Sequence, residues 1–263
     1  MSTITIAGEE LHYQLHHGAP RAGGAPLVLL HGAGGNLMHW PGELRRLPGH
    51  TVCALDLPGH GKSVPTVSGA AERVDIGAYA EVVRTFAEAL GLAPFVLAGH
   101  SMGGAIAIEF ALRYPARLAG LILVGTGAKL RVAPQILTGI LDDFPGTTQI
   151  LAHWTHGEHV DPNLLRLYIR RLREVKPQVI HDDFAACDAF DRCGEVGRIA
   201  LPTLILCGDA DRMTPVKYSQ YLHMQIAGSQ LVIVPGAGHM VMLEQPAAAA
   251  GSVAAFLSNF VSS

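Results

Sequence analysis

Ser101 stands in the pentapeptide Gly99-His100-Ser101-Met102-Gly103, directly after the apolar run Phe95–Ala98 and at the head of a helix-period segment. A serine hydroxyl is a weak nucleophile, so it needs a sharp turn that presents it and a base that takes its proton. Glycines two positions to either side remove the Cβ atoms that would clash in such a turn. The strand–turn–helix setting also brings free N–H groups and the positive end of a helix dipole to the place where an oxyanion would form. GxSxG arises by chance in a chain with 30 glycines. In this setting it reads as a nucleophile elbow.

Three other segments supply what such a serine lacks. His31-Gly32-Ala33-Gly34-Gly35 follows the run Leu27–Leu30, and in isolation it could be a plain glycine-rich loop. Beside the elbow it is placed to offer the N–H of Ala33 as an oxyanion donor together with the N–H of Met102. Gly208-Asp209-Ala210-Asp211 follows the run Thr203–Cys207 and brings two carboxylates, either of which could orient a histidine and stabilise its cation. His239, in Gly236-Ala237-Gly238-His239-Met240, is singled out from 14 histidines because it follows the last strand-like run, in the order Ser, Asp, His. Its expected role is general base toward Ser101, then general acid to the leaving group. It must start neutral, so activity should rise with pH through its titration.

These residues need a scaffold. Short runs at Leu27–Leu30, Val52–Leu55, Phe95–Ala98, Leu121–Val124, Thr203–Cys207 and Leu231–Val234 are nearly continuous in apolar residues, as strands covered on both faces are. Helix-period segments alternate with them: Tyr79–Leu90 with Asp75 as N-cap, Met102–Tyr114, Pro215–Gly228 and Pro246–Phe260. The pattern predicts an α/β fold, a mostly parallel twisted sheet with helices on both faces. Thr3–Ile6 and Leu11–His16 are expected to form an antiparallel edge. Between Thr126 and Gly197 the alternation breaks, and a structureless loop of that length is improbable in a compact domain. Three helices are expected there: one around Ile136–Leu141, one from Asp161-Pro162 that Pro177 stops, and one through Val179, Ile180 and Phe184. The division is therefore residues 1–125 and 198–263 as the sheet domain, with 126–197 as an inserted helical cap.

Composition narrows the partners. The 263 residues are 49% hydrophobic and 16% charged, with a formal net charge of −3. That allows a sizeable core, and with no block of like charge it gives no case for nucleic acid or an anionic membrane. The amino terminus lacks the features of a signal peptide and no apolar run is bilayer-length, so the chain is expected to be soluble. Cys53, Cys187, Cys193 and Cys207 form no CxxC pair and are read as reduced thiols, which suits the cytoplasm. His153, His156 and His159 could face a metal, but Gly157 interrupts the helix and a polar surface is the preferred reading. Arg166, Arg170, Arg171 and Arg173 read as a solvated helix face rather than a site for an acidic substrate. Leu37, Met38, Trp40 and Met102 could line an acyl pocket or fill the core, and the substrate-pocket assignment is Leu37, Trp40 and Met240. Neither a dinucleotide fingerprint nor a P-loop is present.

In ordered combination, HGAGGN at 31–36, DLPGHGKS at 56–63, GHSMGG at 99–104, GDADRMTP at 208–215 and GHMVMLEQP at 238–246 make the chain resemble the α/β-hydrolases, in particular their esterase and lactonase members. The resemblance covers nearly everything but the cap. It implies Asp211 rather than Asp209 as the triad acid, Ala33 and Met102 as the oxyanion hole, and no cofactor. It gives Asp56, His60 and Ser63 a mainly architectural part, and His100 a supporting one. The expected activity is hydrolysis of carboxylic esters of small to medium acyl groups through an acyl-enzyme. Enol-lactone hydrolysis, C–C bond hydrolysis and cofactor-free perhydrolysis use the same triad and stay open, and a small-molecule receptor on this fold is the non-catalytic reading.

Overall fold

The computed structural model describes residues 2–6, 8–18, 24–65 and 75–260. The chain opens with strands β1 (Ser2–Ile6), β2 (Glu9–His17) and β3 (Leu27–Leu30), then a short helix α1 (Gly42–Arg45). Strands β4 (Thr51–Leu55) and β5 (Val64–Pro65) precede helix α2 (Ile76–Ala89). Strand β6 (Phe95–His100) runs into helix α3 (Met102–Arg113), and β7 (Leu118–Val124) follows. Four helices come next: α4 (Pro134–Asp142), α5 (Phe144–Thr155), α6 (Pro162–Arg173) and α7 (Pro177–Ala189). Strand β8 (Thr203–Gly208), helix α8 (Val216–Gln225), strand β9 (Gln230–Val234) and helices α9 (Val241–Glu244) and α10 (Pro246–Leu257) complete the chain.

The sheet order is β1-β2-β4-β3-β6-β7-β8-β9, with β5 beside β2. Pairs from β4 onward in this order are parallel, and β1 and β2 form the antiparallel edge. All four residues of β3 and all six of β6 are buried, as a strand covered on both faces requires. Val28 and Leu30 join α2 and α3 in one core layer, while Leu27 and Leu29 join α1 and α10 in the other. Each fully buried Leu of this kind contributes roughly 2 kcal/mol relative to exposure. The chain order reverses at β3, which has β4 on one side and β6 on the other. The loops leaving β3 and β6 therefore diverge toward opposite faces and open a crevice at their carboxyl ends, where ligands of such sheets bind.

The 126–197 interval differs from expectation in its number of helices and in the role of one proline. It contains four helices; α5, unforeseen, is capped by Asp143, whose side chain accepts from Gly146 N, with Pro145 in its first turn. Pro177 does not stop α6, which ends at Arg173; it starts α7, where a missing N–H costs nothing.

Candidate active site

Ser101 is the only described non-glycine residue with a positive φ, at φ 53° and ψ −115°. Such a conformation costs about 1–3 kcal/mol and persists only where its surroundings impose it. Here the Ser101 N–H donates to Val124 O at 2.9 Å, and its carbonyl accepts from Thr126 Oγ1 at 2.8 Å and from Gly104 N at 2.9 Å. The flanking glycines are required by space: a Cβ on Gly99 would lie 2.0 Å from Gly103 O, and one on Gly103 2.5 Å from Leu30 O. The Ser101 side chain makes no hydrogen bond among the described residues, and the residue is partly exposed.

The loop after β3 lies against this turn. A Cβ on Gly32 would be 3.0 Å from Ser101 Cβ. His31 braces the loop from below: Leu57 N–H donates to its Nε2 at 3.0 Å, so the proton sits on Nδ1, which donates to Gly32 O at 2.8 Å. Burial and the neighbouring His60 hold His31 well below the usual histidine range, in agreement with that neutral tautomer. The N–H groups of Ala33 and Met102 have no acceptor among the described residues. They are the pair that the sequence offers to an oxyanion.

His239 and Asp211 meet on the loops after β9 and β8. His239 Nδ1 donates to Asp211 Oδ2 at 2.9 Å, and Thr214 Oγ1 donates to the same oxygen at 2.8 Å. The N–H groups of Met213 and Thr214 both donate to Oδ1 at 2.8 Å. Burial alone would push the Asp211 carboxyl up. The His239 ring and these donors overcome it and hold the group below the ordinary carboxylate range. Asp209 is exposed and accepts from Gly236 N at 2.6 Å, a turn contact away from the histidine. With Nδ1 committed to Asp211, His239 has Nε2 left to act as a base.

Ser101 and His239 share neighbours. Val124 holds the Ser101 N–H, and a Cβ on the next residue, Gly125, would lie 3.3 Å from His239 Nδ1. His100 packs its ring 4.7 Å from that of His239 and donates from Nε2 to His239 O at 3.0 Å. Burial and His239 keep His100 neutral, its pKa well below the usual range. No hydrogen bond joins Ser101 Oγ to His239 among the described residues. Such contacts are often long before substrate binds.

The four helices between β7 and β8 pack on the loop after β3. Ile136, Ile140, Leu151, Tyr168, Leu172, Ile180, Phe184 and Met240 form one apolar cluster that packs on Ala33. A Cβ on Gly34 would meet Leu172 Cδ1 at 2.7 Å. Met240 lies in this cluster, whereas Leu37 and Trp40, expected beside it in the pocket, do not. Both are buried in the sheet layer with α1 and α10, because the turn after Asn36 directs them inward. The His153–His159 run is also not one polar surface. His156 is buried, donates from Nδ1 to Ala152 O at 3.0 Å and rests against Gly238, whereas His153 Nε2 accepts from Arg212 at 3.2 Å. Among the described residues no group of three His, Cys, Asp or Glu is placed to hold a metal ion.

Sequence reasoning missed Thr214, Glu244 and Asp183. Glu244 accepts from Gly157 N at 2.8 Å and Gly238 N at 3.1 Å, joining α5's end to the His239 loop. Asp183 accepts from Gly34 N, 149 positions away, and no local pattern could have announced it. Asp56 does take the architectural part expected of it, accepting from His12 Nδ1 at 2.7 Å and Leu37 N at 2.6 Å.

Comparison with known proteins agrees with this fold. The sequence profile of the alpha/beta hydrolase family matches residues 27–251. An uncharacterized protein of Mycobacterium tuberculosis strain H37Rv is 30% identical over 292 residues, spanning 92% of this chain and 79% of that one. A pimeloyl-[acyl-carrier protein] methyl ester esterase of Neisseria meningitidis is 27% identical, over 89% of this chain and 93% of the esterase. The solved structure of a thermophilic esterase superimposes with a TM-score of 0.85 at 30% identity, covering 98% of this chain and 97% of that one.

Proposed function

The chain belongs to the alpha/beta hydrolase family, and we propose that within it the protein is a serine hydrolase of carboxylic esters with small to medium acyl groups. The observation that carries the reading is the strained Ser101 turn, a conformation imposed by its neighbours, next to the Ala33 and Met102 amides that have no acceptor among the described residues. In this mechanism Ser101 Oγ attacks the acyl carbonyl while His239 Nε2 takes its proton. The carbonyl oxygen gains negative charge between the two amides, which stabilise it only as that charge develops. Asp211 holds the His239 tautomer and stabilises its cation; it is not itself protonated. His239 then returns the proton to the departing alcohol, and water repeats the sequence to free the acid.

The apolar face of the inserted helices, with Met240 and Leu172, is the proposed acyl pocket, and their closure excludes bulk water. Two esterases among the similar proteins support an ester over a C–C bond as substrate. A steady-state assay with 4-nitrophenyl acetate and butyrate tests the reading. Turnover is expected, and Ser101→Ala should lose roughly 10⁴-fold or more while staying folded. Absence of hydrolysis by the wild type would favour a small-molecule receptor, and normal turnover by Ser101→Ala would refute the nucleophile.

A further inference from the structure

Asp183 on α7 and His60, in the loop after β4, touch each other inside the molecule, and their surroundings fix their charge. Each nitrogen of the His60 ring faces an acceptor: Nδ1 lies 2.9 Å from Pro58 O and Nε2 2.8 Å from Asp183 Oδ2. A neutral imidazole carries one N–H and could donate to only one of these oxygens. A ring that donates to both holds two hydrogens and a positive charge. Asp183 accepts on the same oxygen from Gly34 N at 2.8 Å, and on the other from the Tyr79 hydroxyl at 2.8 Å, a donor set that suits a carboxylate. The two side chains are 0% and 1% exposed.

We propose that His60 and Asp183 form a buried ion pair that positions the oxyanion loop from the inserted helices, and that the charge of His60 keeps Asp183 from opposing the charge of the reacting oxygen. This rests on the reading of Ser101 as nucleophile. Gly34 directly follows Ala33, so the carboxylate that holds the loop stands one residue from a proposed oxyanion donor. Alone, its negative charge would act against the transition state. The imidazolium beside it makes the anchor neutral as a unit. Burial works against the His60 charge, but Asp183, the Pro58 carbonyl and Asp56 outweigh it and raise the His60 pKa above the usual value. The other titratable neighbours are His31, whose ring is 4.9 Å away, and His39, and both are held below the usual histidine range. Neither competes for the proton. His60 and Asp183 are thus positioning residues, and seating α7 holds Gly34 and the pair in place together.

A purely structural pair would affect stability alone, so the test combines protonation with a kcat-against-KM split. Long-range ¹H–¹⁵N NMR of the labelled wild-type protein near neutral pH should show hydrogen on both His60 nitrogens. With 4-nitrophenyl butyrate, His60→Gln should lower kcat by about 10- to 100-fold, less than loss of a whole oxyanion donor, with KM changed by no more than about twofold. Asp183→Asn keeps one acceptor oxygen for Gly34 N, and adding it to His60→Gln should recover a large part of the loss by removing the uncompensated charge. Thermal unfolding of each variant confirms that a folded protein is being read. A neutral His60 ring overturns the ion pair. Unchanged kcat in folded His60→Gln, or losses that simply add in the double variant, overturns the positioning role. If the wild type hydrolyses no ester, the esterase reading fails and this role with it, while the spectrum still decides whether the pair exists.

Discussion

Asp211 takes three of its hydrogen bonds from Met213 and Thr214, two and three positions away, and the fourth from His239 on the adjacent strand's loop. Gly34, on the opposite side of Ser101, is held by a carboxylate 149 positions distant, on a helix of the inserted segment. The contacts of Asp211 are thus built from neighbouring turns of the sheet, and the Gly34 loop is held from a distant helix. Changes in α7 will act first on the Gly34 loop through Asp183, whereas the end of α5 reaches the His239 loop through Glu244 and the Thr155 carbonyl.

Removing the carboxylate that the sheet supplies should have the largest effect among changes that separate the two sides. Asp211→Asn loses the acceptor that fixes the His239 tautomer, and kcat for 4-nitrophenyl butyrate should fall by roughly 10³- to 10⁴-fold. Asp209→Asn, which keeps an oxygen to accept from Gly236 N, should stay within about tenfold of the wild type. Greater damage from Asp209→Asn would reverse the assignment of the acid.

A smaller effect separates the two sides by pH. Burial, with neighbouring histidines, pushes His39 beside the oxyanion loop and His156 in the insertion down to about 4, against the ordinary value of 6.5. Between those values the unfolded chain binds more protons than the folded one, so stability falls as pH drops through this window and is unaffected above it. Each group withdraws up to roughly 3 kcal/mol by the bottom of the window. Asp211 behaves in the other register. Its depressed pKa gives stability that is present above the ordinary 3.8 and is lost only as pH falls below it. Calorimetry between about pH 7 and 5 should show a falling melting temperature, and His156→Gln should flatten the slope. An identical slope in the variant would remove His156 from the account.

The same division explains what could be read from the chain. The strands, the Ser101 turn and the Asp211 and His239 loops announce themselves in runs of a few residues, because their geometry depends on glycines and apolar periodicity close by. Thr214 was within reach of the same reasoning, standing three residues past Asp211. The 126–197 interval is legible as helical, but Asp143-Phe144-Pro145 also starts α5, and Pro177 opens α7 rather than ending α6. Leu37 and Trp40 enter the sheet core, because adjacency to the loop says nothing about which sheet face a side chain enters. Asp183 and the burial of His156 depend on how α5 and α7 pack, and that is decided by contacts between distant segments.

Ser101 is proposed to carry the acyl group between two half-reactions. Rapid acid quench of the enzyme turning over 4-nitrophenyl butyrate, followed by peptide mass spectrometry, tests it directly. The account predicts a butyryl group on the peptide containing Ser101, and none in Ser101→Ala. Turnover with that peptide unmodified, or the acyl group on another residue that survives the Ser101→Ala change, would contradict it.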